Sequence, residues 1–321
     1  MKILPAMLVA TAIGALELPA AAPLEPAAEL VLGVLRRDGI VAPFATFDGR
    51  RWSSRWPNDI SNRELPISLQ DVPESWWGVD APPRTMTIWR DGVRAGSVAL
   101  TDVTTTRLMC ERRIALKTDY KPSAPPPPPF EMPYPKDGLV IAGDAALEPI
   151  ESPQRGSAEW NQALILITEQ FNREENRAAT VFTSWRHPMR PEQRRMVPIT
   201  MEAVYRAPTD DPKWTAYYVE AVRQYPPGRE DKDGCGLATF GQGWVLVGPK
   251  NESKVRLSAK VTYCDRKGVS YMLPFGLIRA NGKGYWVFQF SGFEEEWYEV
   301  AEPTHRGTDS HVAYRAGYCP R

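Results

Sequence analysis

The chain has 321 residues, 39 basic and 39 acidic side chains, 43% hydrophobic residues, 23 glycines and 31 prolines. That length accommodates two domains with cores of their own, and the balanced charge provides no global field to recruit nucleic acid or an anionic membrane. Ordinary hydrophobic content excludes wholesale disorder, and the abundance of glycine and proline points to turn-dense β structure.

Residues 1–22 read as an export signal. Lys2 supplies the positive start, 3–16 is an apolar run too short to span a bilayer, and Ala20, Ala21 and Ala22 offer small residues for cleavage. Cleavage after Ala20 or Ala21 is favoured, because Pro23 would follow Ala22. No cysteine follows the apolar run, which argues against a lipid anchor, and no later stretch approaches the length of a membrane span. The expected location is periplasmic or extracellular.

Residues 28–120 pattern as a small all-β domain, a sandwich or a barrel. Asp38-Gly39 separates the apolar runs 30–35 and 40–47, and Asp91-Gly92 separates 85–90 from 93–100. Both dipeptides suit the left-handed positions of two-residue hairpin turns. Across the second turn Trp89 faces Arg94. Pro43 marks an edge strand or a bulge, and the Thr-rich stretch 104–117 predicts one or two further strands. Five of the eleven tryptophans fall in this unit. Trp52 and Trp56 sit in a loop-like R-W-S-S-R-W-P segment, where they are candidates for the ligand-facing side, with core packing as the alternative.

Residues 121–136 form a Pro-rich linker containing five consecutive prolines, 125–129. Without backbone N–H groups and with φ fixed, such a run predicts a stiff spacer, roughly 40 Å long if its fourteen central residues extend at about 3.1 Å each. It would hold two independently folding domains apart.

Residues 137–321 predict an α+β domain, one helix packed on a curved antiparallel meander of roughly six to eight strands. Within 157–177, Trp160, Ala163, Leu164, Ile167 and Phe171 make one apolar stripe behind the N-cap Ser157. The segment 186–195, with four arginines, His187, Pro188 and Pro191, reads as a solvated basic loop. Beyond it the apolar period is two over 197–206, 214–225 and 255–264. Asn281-Gly282 is the strongest hairpin signal and predicts the pairs Leu277–Trp286, Phe275–Phe288 and Leu273–Phe290.

Four dispersed cysteines suit an oxidising compartment and lack any C-x-x-C spacing for zinc or redox chemistry. A hairpin centred near Asn251 pairs residues whose numbers sum to about 502; Cys235 and Cys264 sum to 499, close enough for a disulfide with a small register shift. Elimination leaves Cys110 with Cys319.

Catalytic signatures are weak. No phosphate loop, H-E-x-x-H, G-x-S-x-G or dinucleotide fingerprint is present. His305 and His311 are six residues apart around Asp309, which gives no common chelating turn, and Asp231-Lys232-Asp233-Gly234 is explained by a turn. Glu294, Glu295, Glu296 and Glu299 surround Trp297-Tyr298, a grouping of carboxylates and aromatics such as a glycosidase needs, or a charged strand edge. The expectation is an exported, non-enzymatic binding or scaffolding protein, its ligand a glycan, peptide or protein, without cofactor or metal. The alternatives are a hydrolase of glycan or peptide using the Glu294–Glu299 carboxylates, or a structural assembly component.

Overall fold

The computed structural model describes residues 28–57, 66, 68–180, 187–227, 235–292 and 294–319. The export-signal reading of 1–22, Arg186 and the Asp-Gly turn at 231–234 lie outside the described residues.

The first strands are β1 (Leu30–Arg36), β2 (Ile40–Phe47) and β3 (Trp52–Ser53), followed by the single helical turn α1 (Glu74–Trp77). Then come β4 (Thr85–Arg90), β5 (Val93–Leu108), β6 (Glu111–Thr118) and β7 (Lys136–Ala142). They hydrogen-bond in the order β1-β7-β4-β5-β6-β2, and β2 pairs back onto β1, which closes a six-stranded barrel with β3 appended to β2. Asp91 and Gly92 take left-handed φ values of 48° and 74°, as the two-residue turn requires, and Trp89 lies opposite Arg94.

Strand β7 corrects the expected boundary at 121–136. Its sequence places it at the head of the second unit, yet it fills the gap between β1 and β4 and completes the barrel. The Pro-rich segment is therefore a strap rather than a spacer between independent bodies. It leaves β6 and returns as β7 on the opposite side of the barrel, with two strands between them in either direction. Its far end is fixed: the Arg37 amide donates to the Pro135 carbonyl at 3.1 Å, and the buried Tyr134 ring lies 3.8 Å from the Arg36 guanidinium carbon.

The remainder comprises β8 (Leu147–Glu148), α2 (Ala158–Thr180), α3 (Pro191–Arg195), β9 (Thr200–Pro208), β10 (Thr215–Gln224), β11 (Leu237–Val247) and β12 (Ser253–Tyr263). It ends with β13 (Tyr271–Ala280), β14 (Lys283–Ser291), β15 (Glu295–Pro303) and β16 (Thr308–Tyr318). The expected meander is present but breaks into two sheets, β12-β11-β10-β9 and β16-β15-β14-β13-β8.

Helix α2 begins where the Ser157 hydroxyl accepts the Trp160 amide at 3.2 Å. Its stripe of Trp160, Ala163, Ile167 and Phe171 packs on Met201, Val204, Val219 and Val245 of the four-stranded sheet. Gly241 admits the Phe171 ring; a Cβ there would lie 2.6 Å from it. At the other end of the helix Glu175 is buried between Arg223 at 2.6 Å and Arg194 at 3.4 Å. Arg194 thus anchors the segment that composition alone paints as a solvated basic loop.

The sheets stack. Tyr218 and Trp244 on the far face of the four-stranded sheet meet Trp286, Phe288 and Phe290 of the five-stranded one. On the opposite face of that sheet, Tyr285, Val287, Tyr298, Val300 and Tyr314 pack against Leu32, Val34, Phe44 and Phe47 on the outside of the barrel. Val31, Leu35, Val41, Trp56 and Trp77 fill the barrel interior. The order of layers is helix, sheet, sheet, barrel.

Two registers differ from expectation. Leu277 pairs with Trp286, but a bulge at Phe275 sets Pro274 opposite Phe288 and Met272 opposite Phe290. One inserted residue inverts the alternation: Met272 is buried, Leu273 is 41% exposed, and Phe275 turns to the barrel side. In the other hairpin Leu237 pairs with Tyr263 and Val247 with Ser253, a sum of 500, so Cys235 and Cys264 are one residue out of register. They are joined at a Cα separation of 5.3 Å, and Cys110 is joined to Cys319 at 4.7 Å.

A fragment spanning 28–120 lacks β7 and exposes the apolar outer wall of the barrel. It is expected to show no cooperative urea transition, whereas 28–321 unfolds in one; circular dichroism of the two distinguishes them. A cooperatively folded 28–120 fragment would contradict the shared core.

Candidate functional site

Side chains of β14 alternate, so Tyr285, Val287, Gln289 and Ser291 share the face turned to the barrel. The first two are core. At the last two, barrel and sheet diverge and leave a cleft of about 560 Å³. Its walls are Trp89 and Arg90 at the end of β4, the start of β7, Tyr134 of the strap, and Tyr271, Leu273 and Phe275 of β13. Gly138 lets β7 close on β4 here, since a Cβ at this position would come within 2.4 Å of the Trp89 carbonyl.

Apart from Asp91 at the rim, the charges lining the cleft are paired within the protein. Asp137 accepts Arg37 Nε at 3.0 Å and the Tyr120 hydroxyl at 2.8 Å, and Arg90 Nη2 donates to that same hydroxyl at 2.6 Å. Burial and the adjacent Asp137 raise the Tyr120 pKa, which keeps it a donor at neutral pH. Lys136 forms an ion pair with buried Glu296, which also accepts the Tyr298 hydroxyl. Gln289 and Ser291 are different. They are 3% and 1% exposed, line the cleft, and have no side-chain hydrogen-bond partner among the described residues. Trp89 Nε1 is buried beside them, also without a partner. Fully enclosed polar atoms without a partner also occur away from the cleft, at Trp52, Trp77 and Trp286 Nε1 and at the Tyr218 hydroxyl, so it is their place on the cleft wall that distinguishes Gln289 and Ser291.

The other wall is braced from behind. Glu220 accepts the Met272 amide at 2.6 Å, taking up an edge donor of β13. Burial pushes its carboxyl up to about 7, against the opposing pull of that hydrogen bond and of Arg266.

Trp52 and Trp56 are not on this surface; both are buried. Trp52 packs between Phe47 at 5.0 Å and Tyr285 at 5.5 Å, in the joint between barrel and sheet. Trp56 plugs the barrel 5.1 Å from Trp77 and donates to the Ile114 carbonyl at 2.9 Å. A small barrel needs bulky apolar filling, so loop-like flanking sequence conceals two core residues, the indole N–H satisfied by a backbone carbonyl in Trp56 but left without an acceptor among the described residues in Trp52.

The Glu294–Glu299 group is dispersed. Glu296 faces the barrel, Glu295 accepts the Ser270 hydroxyl, and Glu299 lies between the two sheets, where burial raises its pKa against donors from Ser310 and Trp297. Glu296 and Glu299 occupy opposite faces of the sheet, and four residues of strand put Glu295 roughly 13 Å from Glu299. Facing glycosidase carboxylates lie closer than that. The histidines separate likewise, His305 to Asp210 at 2.9 Å and His311 to Glu302 at 3.0 Å. Among the described residues no group of three or more His, Cys, Asp or Glu side chains could hold a metal ion, and no helix is long and apolar enough to cross a membrane.

Gln289 and Ser291 escape notice in the sequence because a polar residue on a strand usually marks its wet face. The available signal is that Y-x-V-x-Q-x-S turns polar halfway along one face of a strand whose other face stays aromatic. No family model matches the chain, and no curated protein or solved structure matches it either.

Trp56→Ala is expected to cost about 3–5 kcal/mol in urea denaturation, as for other buried aromatic truncations. For Glu220 the folded pKa lies above the unfolded one, so the native state binds the extra proton. Stability therefore falls as pH rises from about 4.5 to about 7, by up to roughly 3 kcal/mol. Glu220→Gln should flatten that slope and make the protein more stable than wild type at alkaline pH.

Proposed function

We propose that the protein is an exported, non-enzymatic binding protein whose ligand occupies the cleft between barrel and sheet. The observation that carries this reading is the pair Gln289 and Ser291, polar residues with little exposure and no side-chain hydrogen-bond partner among the described residues, on the wall of a cleft within the size range of small-molecule sites. Two disulfides suit an oxidising compartment, and the export-like start of the chain supports the same destination. A hydrolytic role has less support, because each face of the five-stranded sheet offers the cluster no facing pair of carboxylates.

Residues kept polar for a ligand contribute little to the fold without one. Gln289→Leu and Ser291→Ala are expected to change unfolding free energy by less than about 1 kcal/mol, or to raise it. The same substitutions should abolish the thermal shift produced by whichever neutral oligosaccharide, peptide or lipid of a screened panel binds the wild type. Clear destabilisation by both, or a shift that survives both, would place the function elsewhere.

A further inference from the structure

Resting on that reading of the cleft, we propose that the ligand is a neutral oligosaccharide. Apart from Asp91 at the rim, the hydrogen-bonding groups the cleft leaves unpaired are uncharged: the Gln289 carboxamide donates and accepts, and the Ser291 hydroxyl does both. Beside them stand the rings of Trp89, Tyr271 and Phe275, which suit the flat C–H faces of pyranose rings. Neutral polar groups next to aromatic surface match a molecule that carries hydroxyls round its edge and apolar faces above and below.

A charged ligand fits less well. Arg37 is committed to Asp137, Lys136 to Glu296, and Arg90 to the Tyr120 hydroxyl and the Asp137 carbonyl. An anion would have to break one of these pairs and leave its carboxylate or hydroxyl unpaired. Asp91 alone among the charged groups of the cleft has no ion pair or hydrogen bond among the described residues. It stands at the rim on the β4–β5 turn, where a carboxylate can accept two neighbouring hydroxyls.

An extended peptide would bind by adding a strand to the open edge of β13, beyond the short β8. That edge lacks donors where it borders the cleft. Glu220 holds the Met272 amide, and Pro274 has none. Strand addition is blocked, while a saccharide needs no backbone ladder.

The test is calorimetric titration of the signal-free protein with β-1,4-linked tetrasaccharides of glucose, galactose, mannose and N-acetylglucosamine, a tetragalacturonate and an uncharged Gly/Ser/Asn hexapeptide. Binding of at least one neutral tetrasaccharide is expected, constant within about twofold between about 50 and about 500 mM salt. It should weaken about tenfold in Gln289→Leu, which removes the carboxamide, and in Asp91→Asn, which replaces one of the two carboxylate acceptors with a donor. Asp91→Asn retains a residue that tolerates the left-handed turn, so it controls for folding. Hexapeptide binding that is lost in Gln289→Leu would keep the cleft and overturn the saccharide. Preference for tetragalacturonate, or affinity falling steeply with salt, would overturn neutrality. Saccharide binding indifferent to both substitutions would overturn the cleft itself, and failure of every neutral tetrasaccharide to bind would overturn the proposal.

Discussion

The five-stranded sheet is apolar on both faces, and the rest of the architecture answers that constraint. Along β14, Trp286, Phe288 and Phe290 point one way and Tyr285 and Val287 the other, all buried. A sheet of this kind needs a cover on each side. The four-stranded sheet, itself backed by α2, provides one cover, and the outer wall of the barrel provides the other. The barrel strands β1 and β2 are consequently buried on both faces too, which is unusual for so small a barrel. Neither body has a solvent-compatible surface at the joint.

The joint is also tied covalently and electrostatically. Cys110–Cys319 links the β5–β6 turn to the end of β16 across 209 residues, a closure worth about 5 kcal/mol by the loop-entropy relation. Cys235–Cys264, spanning 29 residues, contributes roughly 3–4 kcal/mol on the same relation, although one loop lies within the other and the two do not simply add. Lys136 and Glu296 form a buried ion pair across the joint, and Tyr134 of the strap seals it beside Arg36. Chain that composition marks as a spacer is one of the elements holding the halves together.

The cleft follows from this packing. A closed barrel curves away from a twisted open sheet, so the two can touch along only part of their length. Where they touch, β14 presents Tyr285 and Val287; where they part, it presents Gln289 and Ser291. The walls are stiffened by interactions that leave no free charge pointing inward, apart from Asp91 at the rim. Pre-paired walls with unpaired neutral groups between them favour a ligand bound through hydrogen bonds and ring contacts over one bound through charge.

Short-range physics was readable in the sequence. The hairpins at Asp91-Gly92 and Asn281-Gly282, the α2 stripe with its Ser157 cap, and the Cys235–Cys264 bridge each depend on residues close together in the chain. There, turn chemistry and side-chain periodicity decide the outcome. The tertiary structure alone decided the rest. The insertion of β7 between β1 and β4 depends on which edges remain open after the other strands pair. The bulge at Phe275 is a single residue chosen by packing on both sides of β13. Trp52 and Trp56 go inside because the barrel and its joint have space to fill, whatever their neighbours in sequence suggest. The cleft unites β4, β7, the strap, β13 and β14, segments up to about two hundred residues apart, and no local pattern encodes a surface made where two curved bodies separate.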